Sequence, residues 1–192
     1  MLFALKTRLS ACILAAAILA GTSLVGIQAL ALPVDLGRIS WAWVLAGAGA
    51  MLSSDAALHF FLWKFGGPEY RSRFKSLVEY FQKQGFGEIA AGSVLAASEE
   101  LFFRGFLLAF LVGVLGASGP LSLTLTAGAF GLAHLLPKPW AWTFAVWAAW
   151  EGILLGVVYL ASGSLITVAL THAIHDAAGF VVFLRLKAKT RG

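Results

Sequence analysis

Three short clusters in this sequence place ionisable side chains inside long apolar runs. The first is Ser98-Glu99-Glu100-Leu-Phe-Phe-Arg104, the second ends Phe130-Gly-Leu-Ala-His134, and the third is Thr171-His172-Ala-Ile-His175-Asp176. A charge in hydrocarbon costs about 2.5–3.5 kcal/mol on insertion scales, so each such group needs a reason to be there. Glu100 and Arg104 stand at i and i+4, share one helix face and can form an ion pair. Glu99 is turned about 100° from Glu100 and is left over for chemistry. A packing salt bridge accounts for Glu100 and Arg104 but leaves Glu99 unexplained. His172 and Asp176 also stand at i and i+4, with His175 close to their face. Taken together, Glu99, His134 and His172 are a set that can bind or activate a water. One Glu and two His can ligate zinc with an open fourth position. Alternatively the Glu acts alone as general base while the histidines orient the water.

The elements that must hold these groups follow from composition and hydropathy. The chain has 192 residues, 60% hydrophobic and 12% charged, with a mean hydropathy of +0.87. That is too apolar for an ordinary soluble domain and excludes disorder. A single cysteine, Cys12, excludes a disulfide framework. A membrane-spanning helix needs about 20 mostly apolar residues. Six stretches qualify or nearly so: 9–32, 39–63, about 88–115, 121–136, 140–160 and 165–186. The expected fold class is an all-α polytopic membrane helix bundle of about six transmembrane helices. Residues 1–87 hold two of them with a polar connection, and 88–192 hold the other four, all in one integral domain. The connection from Tyr70 to Phe86 carries Phe74, Leu77, Val78 and Phe81 at helical spacing among Arg71, Arg73, Lys75 and Lys83. It reads as an amphipathic helix on the cytoplasmic surface, or equally as a plain connecting helix.

With the N-terminus inside, 12 of the 14 Lys and Arg fall on the inner side. Arg38 alone lies outside, and Arg104 lies within a helix. That split predicts an N-in, C-in topology, and it explains the net charge of +5 without nucleic acid as a partner. The first apolar run, after Lys6 and Arg8 and ending Ala29-Leu-Ala31 before Pro33, also fits a signal peptide. Ala117-Ser-Gly-Pro120 and Ala161-Ser-Gly163 read as turns, and Pro137-Lys-Pro139 as a sharp break. Asp55 and His59, at i and i+4, read as a self-satisfied pair or part of a proton path. Glu151 has no partner in sequence and is expected to meet His175 or to line a cavity. Trp41, Trp43, Trp63 and Trp140 read as interfacial anchors, and Gly92, Gly105, Gly128, Gly131 and Gly156 as sites of close helix packing.

The order Glu99-Glu100-x-x-x-Arg104, Phe130-x-x-x-His134, His172-x-x-x-Asp176 on successive helices resembles the three motifs of the CPBP intramembrane proteases. That family takes in the type II CAAX prenyl proteases and many bacterial proteins tied to bacteriocin immunity or processing. The resemblance covers about residues 88–186. It implies that Glu99 activates the hydrolytic water, that His134 and His172 hold it, and that Glu100 and Arg104 shape the site. Asp176 stands where the family has Asn or Asp and would support the oxyanion or the nearby His. The prenyl proteases most often have Asn there, which weakens transfer of their substrate. The implied activity is cleavage of a membrane-associated peptide or protein in a bacterial inner membrane, with lipid as the surrounding partner and zinc as the one cofactor to consider. A non-catalytic binding or regulatory protein on the same fold is the alternative. Glu99 falls roughly 16 Å along its helix from Glu88, whereas His134 is three residues from Pro137. They can meet only if the Pro137–Pro139 break is recessed or the third helix projects from the membrane, and either arrangement opens the cavity to the cytoplasmic side.

Overall fold

The computed structural model describes residues 2–32, 34–135 and 142–185. Among them every regular element is helical, and the molecule is a polytopic helical membrane protein. In chain order these are α1 (Leu2–Ala29), α2 (Trp41–Phe65), α3 (Gly67–Phe81) and α4 (Phe86–Glu100). A π-helical segment, π1 (Leu101–Leu108), follows, then α5 (Ala109–Gly113), α6 (Gly119–Ala133), α7 (Trp142–Ser162) and α8 (Leu165–Arg185). The Pro137–Pro139 break, Pro33, Lys138, Trp140 and the tail bases Lys187, Lys189 and Arg191 lie outside the described residues, as do the side chains of Lys6, Arg8, Arg73 and Leu77.

Four helices are long and apolar enough to cross a bilayer: Ser10–Ala29 within α1, Trp41–Phe65, Phe144–Ser162 within α7, and Leu165–Arg185. The two remaining expected crossings differ from this pattern for separate reasons. α4, π1 and α5 run end to end with 15, 8 and 5 residues, a rod of roughly 40 Å. It is long enough to cross but carries Glu88, Glu99, Glu100 and Arg104. α6 has 15 residues, about 22 Å against a hydrocarbon core of about 30 Å. It stops at Ala133, one residue short of His134. A short α6 beside a long rod therefore brings His134 level with the rod's middle, where Glu99 lies.

Without water to expel, helices in a membrane associate through close packing and hydrogen bonds. Both are visible here. Met51, Leu155, Val158, Leu165 and Val168 form one buried cluster between α2, α7 and α8, and Phe103, Phe130 and Ala148 another between π1, α6 and α7. α6 lies close against the backbone of α7 at Gly131, where a Cβ would stand 2.5 Å from the carbonyl oxygen of Ala145 and 2.8 Å from the Cβ of Ala149. Gly128, expected to serve the same purpose, faces open space. α1 packs along α4 and π1, and α4 along α8.

The loop between α1 and α2 closes the other end of α8. Ser164 Oγ accepts from the amide of Thr167 and donates to the carbonyl of Leu36 at 3.0 Å, while the amide of Ser40 donates to Thr167 Oγ1 at 3.0 Å. The amides of Leu165 and Ile166 donate to the carbonyls of Asp35 and Leu36. The first turn of α8, which has no intrahelical acceptors for its amides, is thus satisfied from the loop.

α3 starts three residues earlier than the hydrophobic pattern suggests and stops at Phe81. Its apolar face is spent on the bundle: Phe74 meets Trp63, His59 and Phe183, and Phe81 meets Phe180 and Phe183. Arg71 Nε donates to the carbonyl of Trp63 at 3.0 Å. The helix is therefore a buttress joining α2 to α8.

Packing at Gly131 yields a paired prediction. Gly131→Ala forces α6 away from α7 and lowers stability by roughly 1–3 kcal/mol. Gly128→Ala, with nothing in the way, leaves stability unchanged or slightly raised. Thermal unfolding of the two variants in detergent reads the difference.

Candidate active site

The site is built outward from Arg104, which is fully buried on π1. Its guanidinium donates from one terminal nitrogen to Glu100 Oε1 at 2.8 Å and from the other to the carbonyl of Gly152 on α7 at 2.6 Å. It also lies 5.2 Å from the centroid of the Phe130 ring on α6. Glu100, also fully buried, takes a second partner across the bundle, since His172 Nδ1 lies 2.9 Å from the same Oε1. One charge pair thus joins α4, π1, α6, α7 and α8. The π-helical turns begin directly after Glu100. Their extra residue per turn interrupts the regular ladder at the position where the motif's charges sit, and π segments recur at functional sites.

The two candidate histidines, His134 and His172, are each held through Nδ1. His134 Nδ1 lies 2.8 Å from the carbonyl of Phe130. A carbonyl only accepts, so Nδ1 carries the proton and Nε2 is left for another partner. His172 is oriented equivalently by the Glu100 carboxylate. Both rings also touch Phe130, with centroids 4.6 and 5.8 Å away. His172 and Asp176 share a face as their spacing requires. Yet His172 Nε2 is 3.8 Å from Asp176 Oδ1, beyond hydrogen-bond reach. The hydrogen bond of Asp176 goes instead to its neighbour, His175 Nδ1, at 3.1 Å.

A cavity of about 180 Å³ opens between these elements. Its polar lining is Glu99, His134, Glu151, His172 and Asp176, with Phe130, Phe144, Leu95 and Ala148 as apolar walls. All of the expected site residues are thereby accounted for. Glu99, His134, His172 and Asp176 face the cavity, and Glu100 and Arg104 lie behind it. Glu99 has no hydrogen-bond or ion-pair partner among the described residues. A larger apolar groove of about 370 Å³, between Val94, Leu101 and Ala20, holds none of these ionisable groups.

One pairing departed from expectation, and Glu151 met both of its own. Asp55 does not turn to His59. Its Oδ2 lies 2.8 Å from His175 Nε2, and His59 Nδ1 instead meets the hydroxyl of Tyr70 on α3. Glu151 both lines the cavity and approaches His175, at 3.5 Å. The sequence held a signal for this, because Asp55 and Glu151 are intramembrane carboxylates with no lysine or arginine one turn away on their own helices. That Asp55 would meet His175 rather than His59 depended on long-range packing. The Gly152 carbonyl and the Phe130 ring as partners of Arg104 carried no signal of their own.

The donors of Glu99, His134 and His172 suit zinc in chemistry, with both Nε2 atoms bare and both Nδ1 atoms tied down. Their positions do not gather them. Among the described residues, the group that brings three ligand atoms within 4.8 Å of one another is Asp55, Glu151 and His175.

Residues 85–178 match the family model described as type II CAAX prenyl endopeptidase, Rce1-like. This region belongs to that family. The match spans α4 through most of α8 and includes every residue of the cavity's polar lining. No curated protein and no solved structure matches the chain. At family level the molecule is a protease of the CAAX type embedded in the membrane, with lipid around it and a membrane-associated peptide as its class of substrate.

Breaking the buried ion pair from one side is predicted to be costly. Arg104→Met strands the Glu100 carboxylate and destabilises by about 3–5 kcal/mol. Adding Glu100→Gln to Arg104→Met removes the stranded charge and returns a large part of that loss. A double-mutant cycle on thermal unfolding in detergent measures the coupling.

Proposed function

We propose that this protein hydrolyses a peptide bond of a membrane-associated protein or peptide with a water activated by Glu99. The observation that carries this is a carboxyl group without a hydrogen-bond partner among the described residues, facing a small polar cavity beside two histidines whose Nε2 atoms make no hydrogen bond to those residues. A cavity of about 180 Å³ accommodates a reacting carbonyl with a few waters, each taking about 30 Å³.

The step balances with these groups. Glu99, as carboxylate, takes a proton from the water as its oxygen bonds to the substrate's carbonyl carbon. His134 Nε2 accepts the water's other hydrogen and orients the attack. The carbonyl oxygen becomes an oxyanion. With its ring protonated on both nitrogens, His172 keeps Nδ1 on Glu100 and offers Nε2–H to that oxygen. The C–N bond then breaks, and Glu99 returns its proton to the leaving amine. Asp176 stands 3.8 Å from His172 Nε2 and balances the charge on the ring. Glu100 and Arg104 act through His172 and are positioning residues. Zinc, if bound by Glu99, His134 and His172, would acidify the same water. The spread of those three ligand atoms favours assigning the step to Glu99 itself.

The cytoplasmic side of a bacterial inner membrane is the location that fits the distribution of Lys and Arg. A prenylated C-terminal peptide is the substrate class that the family's description suggests, and Asp176 in place of the Asn usual in prenyl proteases is a reason to test unprenylated peptides beside it.

Reconstitution with a library of membrane-tethered peptides tests this. Glu99→Gln, which preserves shape, lowers cleavage by about 10²–10⁴-fold without lowering the unfolding temperature. His134→Ala and His172→Ala lower cleavage as well, the latter with loss of stability because Glu100 loses a partner. Undiminished cleavage by Glu99→Gln would remove the mechanism.

A further inference from the structure

We propose that Asp55, Glu151 and His175 form a binding site for a divalent transition-metal ion of the zinc type, lying behind the cavity and distinct from Glu99, His134 and His172. The three ligands come from α2, α7 and α8, and one atom from each lies within 4.8 Å of the other two. His175 Nε2 is 2.8 Å from Asp55 Oδ2 and 3.5 Å from Glu151 Oε1. Ligands on a tetrahedral ion with bonds of about 2.0–2.1 Å are separated by roughly 3.3 Å, so the triad needs only small shifts to close on one.

Three further observations point to a cation. His175 Nδ1 is held by Asp176 Oδ1 at 3.1 Å, so Nε2, which faces Asp55 Oδ2, is the nitrogen that becomes the ligand once an ion displaces its proton. A carboxylate behind the imidazole in this way orients a metal-bound histidine and strengthens it as a ligand. Asp55 Oδ1 is buried and has no hydrogen-bond partner, although it belongs to the carboxylate that approaches His175. Finally, charge does not balance. Asp55, Glu151 and Asp176 bring three carboxylates to His175 inside the bundle, and Asp176 alone of them has a second imidazole, His172, within ion-pair distance. Among the described residues no lysine or arginine pairs with any of them, and Arg104 is committed to Glu100 and the Gly152 carbonyl. Uncompensated charge in so apolar a setting is expensive, and a divalent ion supplies what is missing. One nitrogen and two carboxylate oxygens suit zinc, with a water at the fourth position. Glu151 and Asp176 reach the cavity wall, which gives the ion a path inward.

Zinc content measures this without reference to proteolysis. The tag-free, detergent-purified full chain is loaded with zinc, washed and analysed for metal per chain. About one zinc per chain is expected in the unaltered protein and in Glu99→Gln. Asp55→Asn and Glu151→Gln, which keep side-chain size, lose it, and Asp176→Asn binds it about 10–100-fold more weakly. Zinc should also raise the unfolding temperature of the unaltered protein, reversibly on chelation, a readout that needs no variant to fold. Retention of zinc by Glu151→Gln with loss in Glu99→Gln would overturn the assignment and place the metal with the hydrolytic residues. Absence of both bound zinc and a thermal shift would overturn it in favour of protonated carboxyl groups around His175. Failure of the protease mechanism alone leaves either zinc result standing.

Discussion

The buried pair between Glu100 and Arg104 is the constraint on which the rest of the bundle depends. Neither side chain has any exposure, so neither can be left alone in a low-dielectric interior, and every group that completes them becomes part of the architecture. Arg104 recruits the Gly152 carbonyl and the Phe130 ring, while Glu100 recruits His172. Three inter-element relations, to α6, α7 and α8, are set by two residues on one rod. His172 on α8 is therefore aimed by the same carboxylate that neutralises the arginine, so a change at Glu100 disturbs both at once.

Much of this was legible in the sequence. The i, i+4 spacing of Glu100 and Arg104 announced an ion pair, and the 100° offset of Glu99 announced a carboxyl with a different task. Both rest on local helical geometry, which spacing encodes directly. Hydropathy located the helices, and the turns at Gly119–Pro120 and Gly163 fell where Gly and Pro end one helix and allow the next. What spacing could not encode was the pitch of π1, since Leu-Phe-Phe-Arg-Gly-Phe-Leu-Leu has the composition of an ordinary apolar helix. Nor could it encode contacts across the bundle. Asp55 and His175 are 120 residues apart, and Asp55's local alternative, His59, was taken by Tyr70 on a helix outside the apolar core. The apolar stripe of α3 was visible, but not that α8 would supply Phe180 and Phe183 to cover it.

The polar interior divides into two layers joined by α8. His172 faces Glu100 and the cavity, whereas His175, less than one turn later, faces Asp55 and Glu151. Asp176 belongs to both layers. It hydrogen-bonds His175 and stands within ion-pair distance of His172. Glu151, which lines the cavity and approaches His175, is a second carboxylate shared between them.

The shortness of α6 bears on the surrounding lipid. A helix of 15 residues cannot match a hydrocarbon slab about 30 Å thick, and the bilayer accommodates such a mismatch by thinning beside it. The carbonyls of its last turn are met locally, Phe130's by His134 Nδ1, Gly131's by the His134 amide and Leu132's by the Leu135 amide. His134 follows that last turn directly. A bilayer thinned beside α6 would bring the water of the interface toward the end of the helix at which His134 stands.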